Sequence, residues 1–467
     1  MPIYKKEVSV PALSYKTVSF SLSASPRGER AVSGVLYPVK SLNFRTSGKG
    51  MGVVAGPELL CAVQAFGEHA PAAVYVLHTA AGPGIVFFLQ GKLYACTLTE
   101  ADGTLSAPAE IATGGVIFAA PPQAAYFVDA AGGPALFFFA PEGCFVWDGE
   151  DFSAVTDAPA AATGCTYYER IFLVSSSVGY RVYFSAPLDE TVWETAYRTA
   201  GYVDLAPEYG RIDALIPCGD KIVALRERGA SVLQAKGENS DFSCVSMPAS
   251  FGRVFAGSTQ AIGEDVIFLS SDGLYAHDGD KARRIADEWF SFAPPSADPQ
   301  CISTVSGGEY ILSYLTATGE RRTLFYNPET ERGFLSDVGL SAPVYGAEKG
   351  LLFSEAGLCR RTSDVGENRL TGLWESGYIL LGLGAGRKLL RRLTLFGKGK
   401  IKLTIQGEHA RNKLVYAVCL DGQFSVLPLL RDTGFSLRLE SEGGECLLRG
   451  LQAEGAALKG GMKGYGT

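Results

Sequence analysis

A short hairpin pattern recurs seven times between Gly91 and Gly357, and this repeat constrains the fold more than any other feature of the chain. Each copy has an apolar, aromatic-rich strand, a tight polar turn with a glycine, and a second short strand. Successive turn glycines are 36 to 52 residues apart, close to the roughly 40–50 residues that a four-stranded propeller blade needs. The seven turn glycines are Gly91, Gly143, Gly179, Gly229, Gly273, Gly319 and Gly357.

Two of the copies align without a gap, ALFFFAPEGCFVWDG at 135–149 and DVIFLSSDGLYAHDG at 265–279. Both have an apolar strand, an acidic turn, an aromatic residue two positions after the turn glycine, and a final Asp-Gly. The chain is rich in glycine and aromatic residues and has few helical patterns, which is typical of an all-β fold. The sequence therefore predicts a β-propeller over residues 56–364 with about seven four-stranded blades. The short interval from 143 to 179 leaves six blades open.

The rest of the chain forms two further regions. After about residue 365 the strands become longer and alternate cleanly, as in residues 400–405, which predicts a C-terminal antiparallel β-sandwich over 365–455. Residues 456–467 are glycine-rich and are predicted to be a flexible tail. Residues 1–55 are predicted to form an N-terminal arm. Because the last blade shows only three strands and an unpaired edge is costly, segment 41–54 is predicted to supply the strand that closes the ring.

Composition narrows the class of protein. A net charge of −7 with 19% charged residues gives no overall attraction to nucleic acid or to an anionic membrane. The N-terminus lacks the apolar run of a signal peptide, and no run approaches the roughly 18 apolar residues of a membrane span, so we expect a chain made in a cytosol. The ten cysteines include no C-x-x-C pair, which favours buried free thiols over a disulfide framework.

A search for catalytic motifs finds none. The four histidines are not spaced as a metal pair, and H-E-x-x-H, G-x-S-x-G and the P-loop pattern do not occur. His277 takes the place of Trp147 in the aligned repeat, which predicts a packing residue, and turn chemistry explains Asp148 and Asp278. The sequence thus predicts no enzyme, with no catalytic, cofactor-binding or metal-binding residues.

A basic cluster stands out in this acidic chain, with seven cations and no acid in sixteen residues. One interpretation places these side chains on the solvent face of two paired strands. The other is contact with an acidic partner surface or with DNA phosphates. The candidate contact residues are Arg387, Lys388, Arg391, Arg392, Lys398, Lys400 and Lys402.

Residues 180–193 (YRVYFSAPLDETVW), with 201–205 and 210–233, resemble virion proteins of tailed bacteriophages and prophages, in which S-x-x-x-D-x-x-x-W ends one strand. WESGYILLG at 374–382 and KLLRRL at 388–393 are similar to the sandwich that follows such propellers. The resemblance covers residues 160–455 and not the first 55. It implies a non-catalytic structural or assembly role at the head-to-tail junction or tail of a particle. It also implies localisation in the virion after synthesis in the host bacterial cytoplasm, and contacts with other virion proteins or with further copies of the chain.

A second hypothesis is a glycan-binding or glycan-active propeller with a carbohydrate-binding sandwich. Such a protein needs paired carboxylates about 5 to 10 Å apart in the central channel, flanked by Trp or Tyr. A channel lined by Ser, Gly, Ala or Val favours the first hypothesis, a structural protein of a phage particle. The side chains that line the channel therefore discriminate between the two hypotheses.

Overall fold

The computed structural model describes most of the chain and shows an all-β protein made of a seven-bladed propeller and a second, nearly closed sheet. The predicted fold class is confirmed, and the blade count is seven. The described residues are 12–17, 19–21, 31–32, 35–47, 49–66, 69–79, 82–99, 104–128, 132–194, 199–291, 293–346, 350–361, 369–379 and 386–458.

Each blade is an antiparallel four-stranded sheet, numbered here from the N-terminus. Blade 1 comprises Ala73–Thr79, Gly82–Leu89, Lys92–Thr99 and Ala109–Glu110, with Thr104–Leu105 also against its third strand. Blade 2 comprises Gln123–Val128, Pro134–Ala140, Gly143–Trp147 and Phe152–Ala154. Blade 3 comprises Ala161–Tyr167, Arg170–Ser175, Arg181–Phe184 and Gly201–Asp204. Blade 4 comprises Ile212–Cys218, Lys221–Arg226, Gly229–Gln234 and Ser243–Pro248.

The remaining blades complete the ring. Blade 5 comprises Gln260–Ile262, Asp265–Ser270, Gly273–His277 and Ala282–Ile285. Blade 6 comprises Ile302–Ser306, Glu309–Leu315, Arg321–Asn327 and Arg332–Ser336. Blade 7 comprises Leu340–Ala342, Leu351–Ser354, Gly357–Arg360 and Glu58–Ala62. From blade 2 to blade 7 the first strands of neighbouring blades contact one another around the central channel.

The seven turn glycines all lie at the same point of the blade, between its second and third strands. The aligned repeats in blades 2 and 5 also share their register, since Phe138 lies opposite Phe145 and Phe268 lies opposite Tyr275. Such cross-strand aromatic pairs stabilise a sheet, and here they pack blade against blade. The hairpin pattern in the sequence is therefore the central half of each blade.

The strand that closes the ring is Glu58–Ala62, which pairs with Gly357–Arg360 as the fourth strand of blade 7. The prediction that segment 41–54 closes the ring was wrong. That segment pairs within the second sheet, where Phe44 and Met51 are buried. The closing strand must lead directly into the first strand of blade 1, which begins at Ala73, and Glu58–Ala62 is the strand that does so.

The second unit is one sheet that curls into a nearly closed sandwich, and it draws on both ends of the chain. Its order is Pro38–Leu42, Leu373–Ser376, Phe435–Ser441, Lys388–Gly407, Leu447–Ala457, Gly50–Val53 and Phe44–Ser47. Lys413–Val426 and Leu430–Asp432 also pair with Lys388–Gly407, and Ala12–Thr17 pairs with Leu447–Ala457. The predicted sandwich over 365–455 omitted the N-terminal strands.

Short elements connect these sheets. A small sheet comprises Ser19–Phe20, Ala31–Val32 and Val35–Leu36, and Val344–Tyr345 runs parallel to the first strand of blade 1. Within the described residues the helices are single turns at Val63–Phe66, Pro207–Tyr209, Asn239–Asp241, Ala256–Ser258 and Asp287–Phe290. The predicted flexible tail at 456–467 lies outside the described residues from 459 onward, and the last strand extends to Ala457.

One hydrophobic core extends from the propeller into the sandwich. It contains Tyr314 and Leu335 of blade 6 together with Phe44, Trp374 and Leu403 of the sandwich, all almost fully buried. The ten cysteines are free thiols, and six of them are buried inside the two units. Because the apolar contacts are continuous across the junction, the two units form one packed body.

Candidate functional site

A cavity of about 910 Å³ opens at one mouth of the central channel. In an antiparallel blade, the first strand begins on the same face of the ring where the turn between the second and third strands lies. The cavity is on this face and is lined by the starts of first strands and by turns from blades 3 to 6. Its charged lining residues are Arg211, Asp213, Glu227, Arg228, Arg253 and Asp298.

Blade 4 supplies the most tightly packed part of this lining. Arg211 immediately precedes its first strand and Glu227 lies in its second turn. The Arg211 guanidinium lies 3.2 Å from the Asp213 carboxylate, and the Arg211 backbone N–H donates to Glu227 Oε2 at 3.4 Å. The fold thus holds two carboxylates around one arginine.

Asp213 is the carboxyl group of this site with a shifted pKa. Burial raises the pKa of its carboxyl above the usual value, and the ion pair with Arg211 opposes that rise only in part. The nearby Glu227 carboxylate adds to the rise. The Asp213 side chain is 17% exposed, whereas that of Arg211 is 66% exposed. The Asp213 carboxylate therefore lies at the base of the mouth, and the Arg211 guanidinium extends from it.

Three other charges line the cavity without a described ion-pair partner. Arg228, Arg253 and Asp298 are exposed, and no oppositely charged side chain among the described residues lies within 4 Å of them. Among the described lining residues the one aromatic is Phe255, and the Arg253 guanidinium lies 5.8 Å from its ring centroid. The mouth therefore offers charged hydrogen-bonding groups of both signs.

The predicted basic cluster occupies one long strand, Lys388–Gly407, and the residue before it. Lys388 is 3% exposed and is not available to a partner. Three of the exposed cations face acids, and Arg392 lies 3.7 Å from Glu454 on the neighbouring strand. The other two pairs are Lys398 with Glu445 at 3.9 Å and Lys402 with Glu440 at 3.8 Å.

Arg387, Arg391 and Lys400 are exposed and have no carboxylate within 4 Å among the described residues. From Arg387 to Lys402 the strand rises about 50 Å, so the structure does not gather the seven cations into one compact patch. A bulge at Leu390/Arg392 turns Arg391 and Arg392 both to solvent. Six of the seven side chains are exposed, on a single strand and the residue before it and not on two paired strands. Contact with a partner or with phosphate stays a prediction.

The motif residues Ser185, Asp189 and Trp193 hold blade 3 together. The buried Ser185 hydroxyl accepts the Ile171 N–H at 3.0 Å and donates to a carbonyl at 2.9 Å. Asp189 Oδ1 accepts the N–H of Thr191 at 2.9 Å, and Trp193 packs against Phe137 of blade 2. These residues serve the packing of neighbouring blades.

Three further residues of the sequence analysis have the local roles predicted for them. His277 is 1% exposed, and its Nδ1 accepts the Gly279 N–H at 3.0 Å. Asp148 Oδ1 and Asp278 Oδ1 each accept two backbone N–H groups of the following turn at 2.7 to 2.9 Å. All three side chains belong to the framework of the blades.

Sequence reasoning missed the cavity residues. Arg211, Asp213, Glu227 and Arg228 all lie in the stretch that resembles virion proteins, but their meeting depends on the ring. The sequence did contain one signal for them. The repeat places the start of each first strand and the turn between the second and third strands on the same face of the ring, and these charged residues lie at those positions.

The described residues contain neither a metal-binding cluster nor a membrane-spanning helix. No group of three or more His, Cys, Asp or Glu side chains within the described ranges is placed to hold a metal ion. In the same part of the chain, each helix is too short to span a bilayer.

Comparison with known proteins gives similar solved structures at low sequence identity. No protein-family model matches the chain, and the search of curated proteins returned no match. PorZ of Porphyromonas gingivalis, a bacterial surface component of the type-IX secretion system, is 13% identical with a TM-score of 0.39. The match covers 78% of this chain and 46% of PorZ.

The extracellular domain of the one-component system BT4673 from B. thetaiotaomicron is 7% identical with a TM-score of 0.43, covering 92% of this chain and 63% of that chain. Hsv2 of Kluyvelomyces marxianus is 10% identical with a TM-score of 0.32, covering 54% of this chain and 80% of Hsv2. At these TM-scores and sequence identities, the three proteins do not indicate what this chain does.

Proposed function

We propose that this protein is a non-catalytic structural or assembly protein of a tailed phage or prophage particle, in which the propeller and sandwich form one rigid scaffold that contacts other virion proteins. The observation that carries the proposal is the continuous core that joins the two units. A body of this kind keeps its outer faces in fixed relative positions, as a protein between fixed neighbours requires.

A buried group of charges supports this rigidity at the junction. Glu309 of blade 6 is 4% exposed at its side chain, and Arg45 of the sandwich lies 2.5 Å from its Oε1. Arg361, which follows blade 7, pairs with its other oxygen and donates to the Ser306 carbonyl at 2.8 Å. Because a buried charge without its partners is costly, these pairs oppose separation of the sandwich from blades 6 and 7.

Asn43 adds an uncharged connection at the same junction. Its side-chain N–H₂ donates to Asp337 at 2.7 Å and to the Thr371 carbonyl at 2.9 Å, and its Oδ1 accepts the Ser336 hydroxyl at 2.7 Å. The side chain thereby joins the edge of blade 6 to the sandwich, so the relative orientation of the two units is held by directional bonds as well as by apolar packing.

The cavity mouth suits contact with a protein surface. It presents the free cations Arg228 and Arg253 and the free acid Asp298 around the Arg211–Asp213 pair. Charges of both signs favour a polar loop of matching pattern, because complementary charges fix register and exclude wrong partners. The resemblance of residues 160–455 to virion proteins supports a partner within a phage particle, and hence localisation in the virion.

The test is mass spectrometry of particles induced from the host and purified by density gradient. We expect this chain at a constant, integral copy number relative to the other particle proteins, both before and after a high-salt wash. A host cytosolic protein of similar abundance serves as the control for carry-over. Absence of the chain from washed particles would overturn the proposal.

A second candidate function is glycan binding or cleavage, and it rests on Asp213. A carboxyl with a raised pKa beside the Glu227 carboxylate is one element of an acid–base pair, although the described lining holds Phe255 and neither Trp nor Tyr. A glycan array with the purified chain, followed by Asp213→Asn and Glu227→Gln on any ligand found, tests it. Binding or hydrolysis that both variants abolish would favour this function over the scaffold.

A further inference from the structure

The strand Lys413–Val426, called here the edge strand, has one side without a partner. It pairs along its whole length with Lys388–Gly407, from Gln406 opposite Lys413 to Leu393 opposite Val426. Within the described ranges no strand pairs with its other side. Because alternate residues of an antiparallel strand direct their N–H and C=O groups to opposite sides, about half of its fourteen residues present these groups to the open side.

This edge lacks the usual protection. Sheet edges are commonly short, or carry proline and inward charges that prevent pairing with another chain. Here the segment 414–420 reads LVYAVCL, seven uncharged residues with high strand propensity. Val415 is 56% exposed on its solvent face. Such an edge is a template for another strand.

The solvent face of the edge strand is complementary to itself. From Lys413 to Asp421 its exposed residues are Lys413, Val415, Ala417, Cys419 and Asp421, with opposite charges at the two ends of this run and small or apolar side chains between. Residues 422–425, beyond the run, are exposed as well. If a second copy pairs antiparallel about Ala417, each Lys413 lies opposite Asp421 of the other copy. Val415 then lies opposite Cys419 on both sides, and the two Ala417 residues face each other.

The opposite face agrees with the same register. Leu414 lies opposite Leu420 and Tyr416 opposite Val418, so every pair on the core side is apolar. A shift of the twofold centre to Val418 instead puts Val415 opposite Asp421 and leaves Lys413 opposite Gln423. Opposite-charge and apolar cross-strand pairs stabilise antiparallel sheets, and the register about Ala417 has both.

We propose that two copies of this protein pair through the edge strand, antiparallel and centred on Ala417, so that the sandwich sheets of both copies become continuous. A twofold axis of this kind makes an isologous, closed dimer. The two Lys413–Asp421 pairs at its ends select the register.

The test begins with mass in solution by light scattering and sedimentation. We expect twice the chain mass of 49.6 kDa. Lys413→Asp alone and Asp421→Lys alone each place like charges opposite one another twice, and each should raise the dissociation constant of the dimer about tenfold or more. The double variant Lys413→Asp/Asp421→Lys restores both pairs and should return the dimer.

Three results would overturn the proposal. One is a wild-type chain whose mass stays at 49.6 kDa over the whole concentration range. In that case the edge strand binds a different protein or has no partner. Another is a dimer that neither single reversal weakens. The third is a double variant that remains as weak as the single ones. Lys92→Glu, an exposed charge reversal on blade 1, is the control and should leave the dimer unchanged.

A cross-linking experiment tests the register independently. In a Cys419→Ser background, Ala417→Cys places two thiols on directly opposite residues, about 5 Å apart at their Cβ atoms, so a short bismaleimide should join the two chains. Gln423→Cys on the same face is the matched control, because twelve residues of strand, about 40 Å, separate the two positions in this register. Cross-linking at 423 and not at 417 would contradict the proposed centre.

Discussion

At the scale of single residues, the most constrained side chains are buried polar groups whose partners come from distant parts of the chain. Glu309 joins Arg45 and Arg361, which lie 264 and 52 residues away. In the sandwich, the His409 ring and the buried Asp432 carboxylate, 23 residues apart, form a second polar pair. Burial acts to raise the pKa of Asp432, but hydrogen bonds from the His409 ring and from backbone N–H groups outweigh it and lower the pKa to about 2.

Replacing Glu309 by glutamine should destabilise the whole protein. The variant leaves Arg45 and Arg361 without their shared counter-charge at the junction. We expect the free energy of unfolding to fall by about 3 kcal/mol. This is the lower end for a broken buried pair, because Arg45 keeps contact with solvent. Urea denaturation gives the loss. The exposed pair Lys92–Glu110 provides the control Glu110→Gln, which should leave the midpoint unchanged. Equal shifts for both variants would contradict the argument.

His277 should make stability depend on pH. Burial lowers the pKa of the folded-state imidazole below its ordinary value, so the unfolded chain binds a proton more readily. Stability is therefore fully present above the unfolded pKa of about 6.5. It falls as the pH is lowered through that value, by up to about 1.4 kcal/mol per pH unit.

The matched variant is His277→Asn, whose amide oxygen can still accept the Gly279 N–H. Its unfolding free energy, measured from pH 7.5 to 5, should have a shallower slope than that of the wild type. His69→Asn at an exposed position should keep the wild-type slope. A wild-type slope in His277→Asn would show that the buried imidazole does not cause the dependence.

At the scale of secondary-structure elements, closure of the ring depends on one short strand. Glu58–Ala62 pairs with Gly357–Arg360, and Gly357 has φ +134° at the turn of blade 7. A Cβ there would meet the Cys61 carbonyl oxygen of the closing strand at 2.1 Å. The matching glycine of blade 6, Gly319, has φ +81° and nothing within 4 Å of an added Cβ.

Gly357→Ala should therefore open the ring while Gly319→Ala should not. Both variants pay for a left-handed backbone, about 1–2 kcal/mol, and Gly357→Ala must also displace the closing strand. We expect faster hydrogen exchange of residues 58–62 in Gly357→Ala alone, measured by mass spectrometry. Equal exchange in the two variants would contradict this role of the closing strand.

At the scale of the whole molecule, the shared core predicts that propeller and sandwich unfold together. Phe44 and Trp374 of the sandwich belong to the same buried cluster as Tyr314 and Leu335 of blade 6, so loss of one unit exposes the apolar surface of the other. The closing strand and the sandwich strands of the N-terminal region also lie on one continuous stretch of chain.

We expect one unfolding transition with the same midpoint for both units. Circular dichroism at far-ultraviolet wavelengths and hydrogen exchange of peptides from residues 161–218 and 388–441 measure it. Phe44→Ala, which removes a fully buried ring at the junction, should lower both midpoints together. Two separate transitions would contradict the single rigid body on which the proposed scaffold rests.

The sequence by itself determined the repeat unit. Glycines at blade turns and aromatic strands around them are local signals, because a tight turn and a buried strand impose their residue types on adjacent positions. The same locality explains why the packing role of His277 and the turn roles of Asp148 and Asp278 were readable from the aligned copies. Strand alternation in residues 400–405 likewise predicted a half-buried sheet beyond the propeller.

Only the tertiary structure decided which distant segments meet. Segment 41–54 was predicted to close the ring, and that segment 58–62 closes it instead was decided by long-range pairing with residues 357–360 and by burial of Phe44 in the sandwich. The cavity residues Arg211, Glu227 and Arg253 converge because the blades form a ring. The repeat places such positions on one face but does not show which side chains meet there. Cross-strand acids such as Glu454 beside Arg392 are equally invisible in a one-dimensional pattern, since a salt bridge is set by register between strands far apart in the chain.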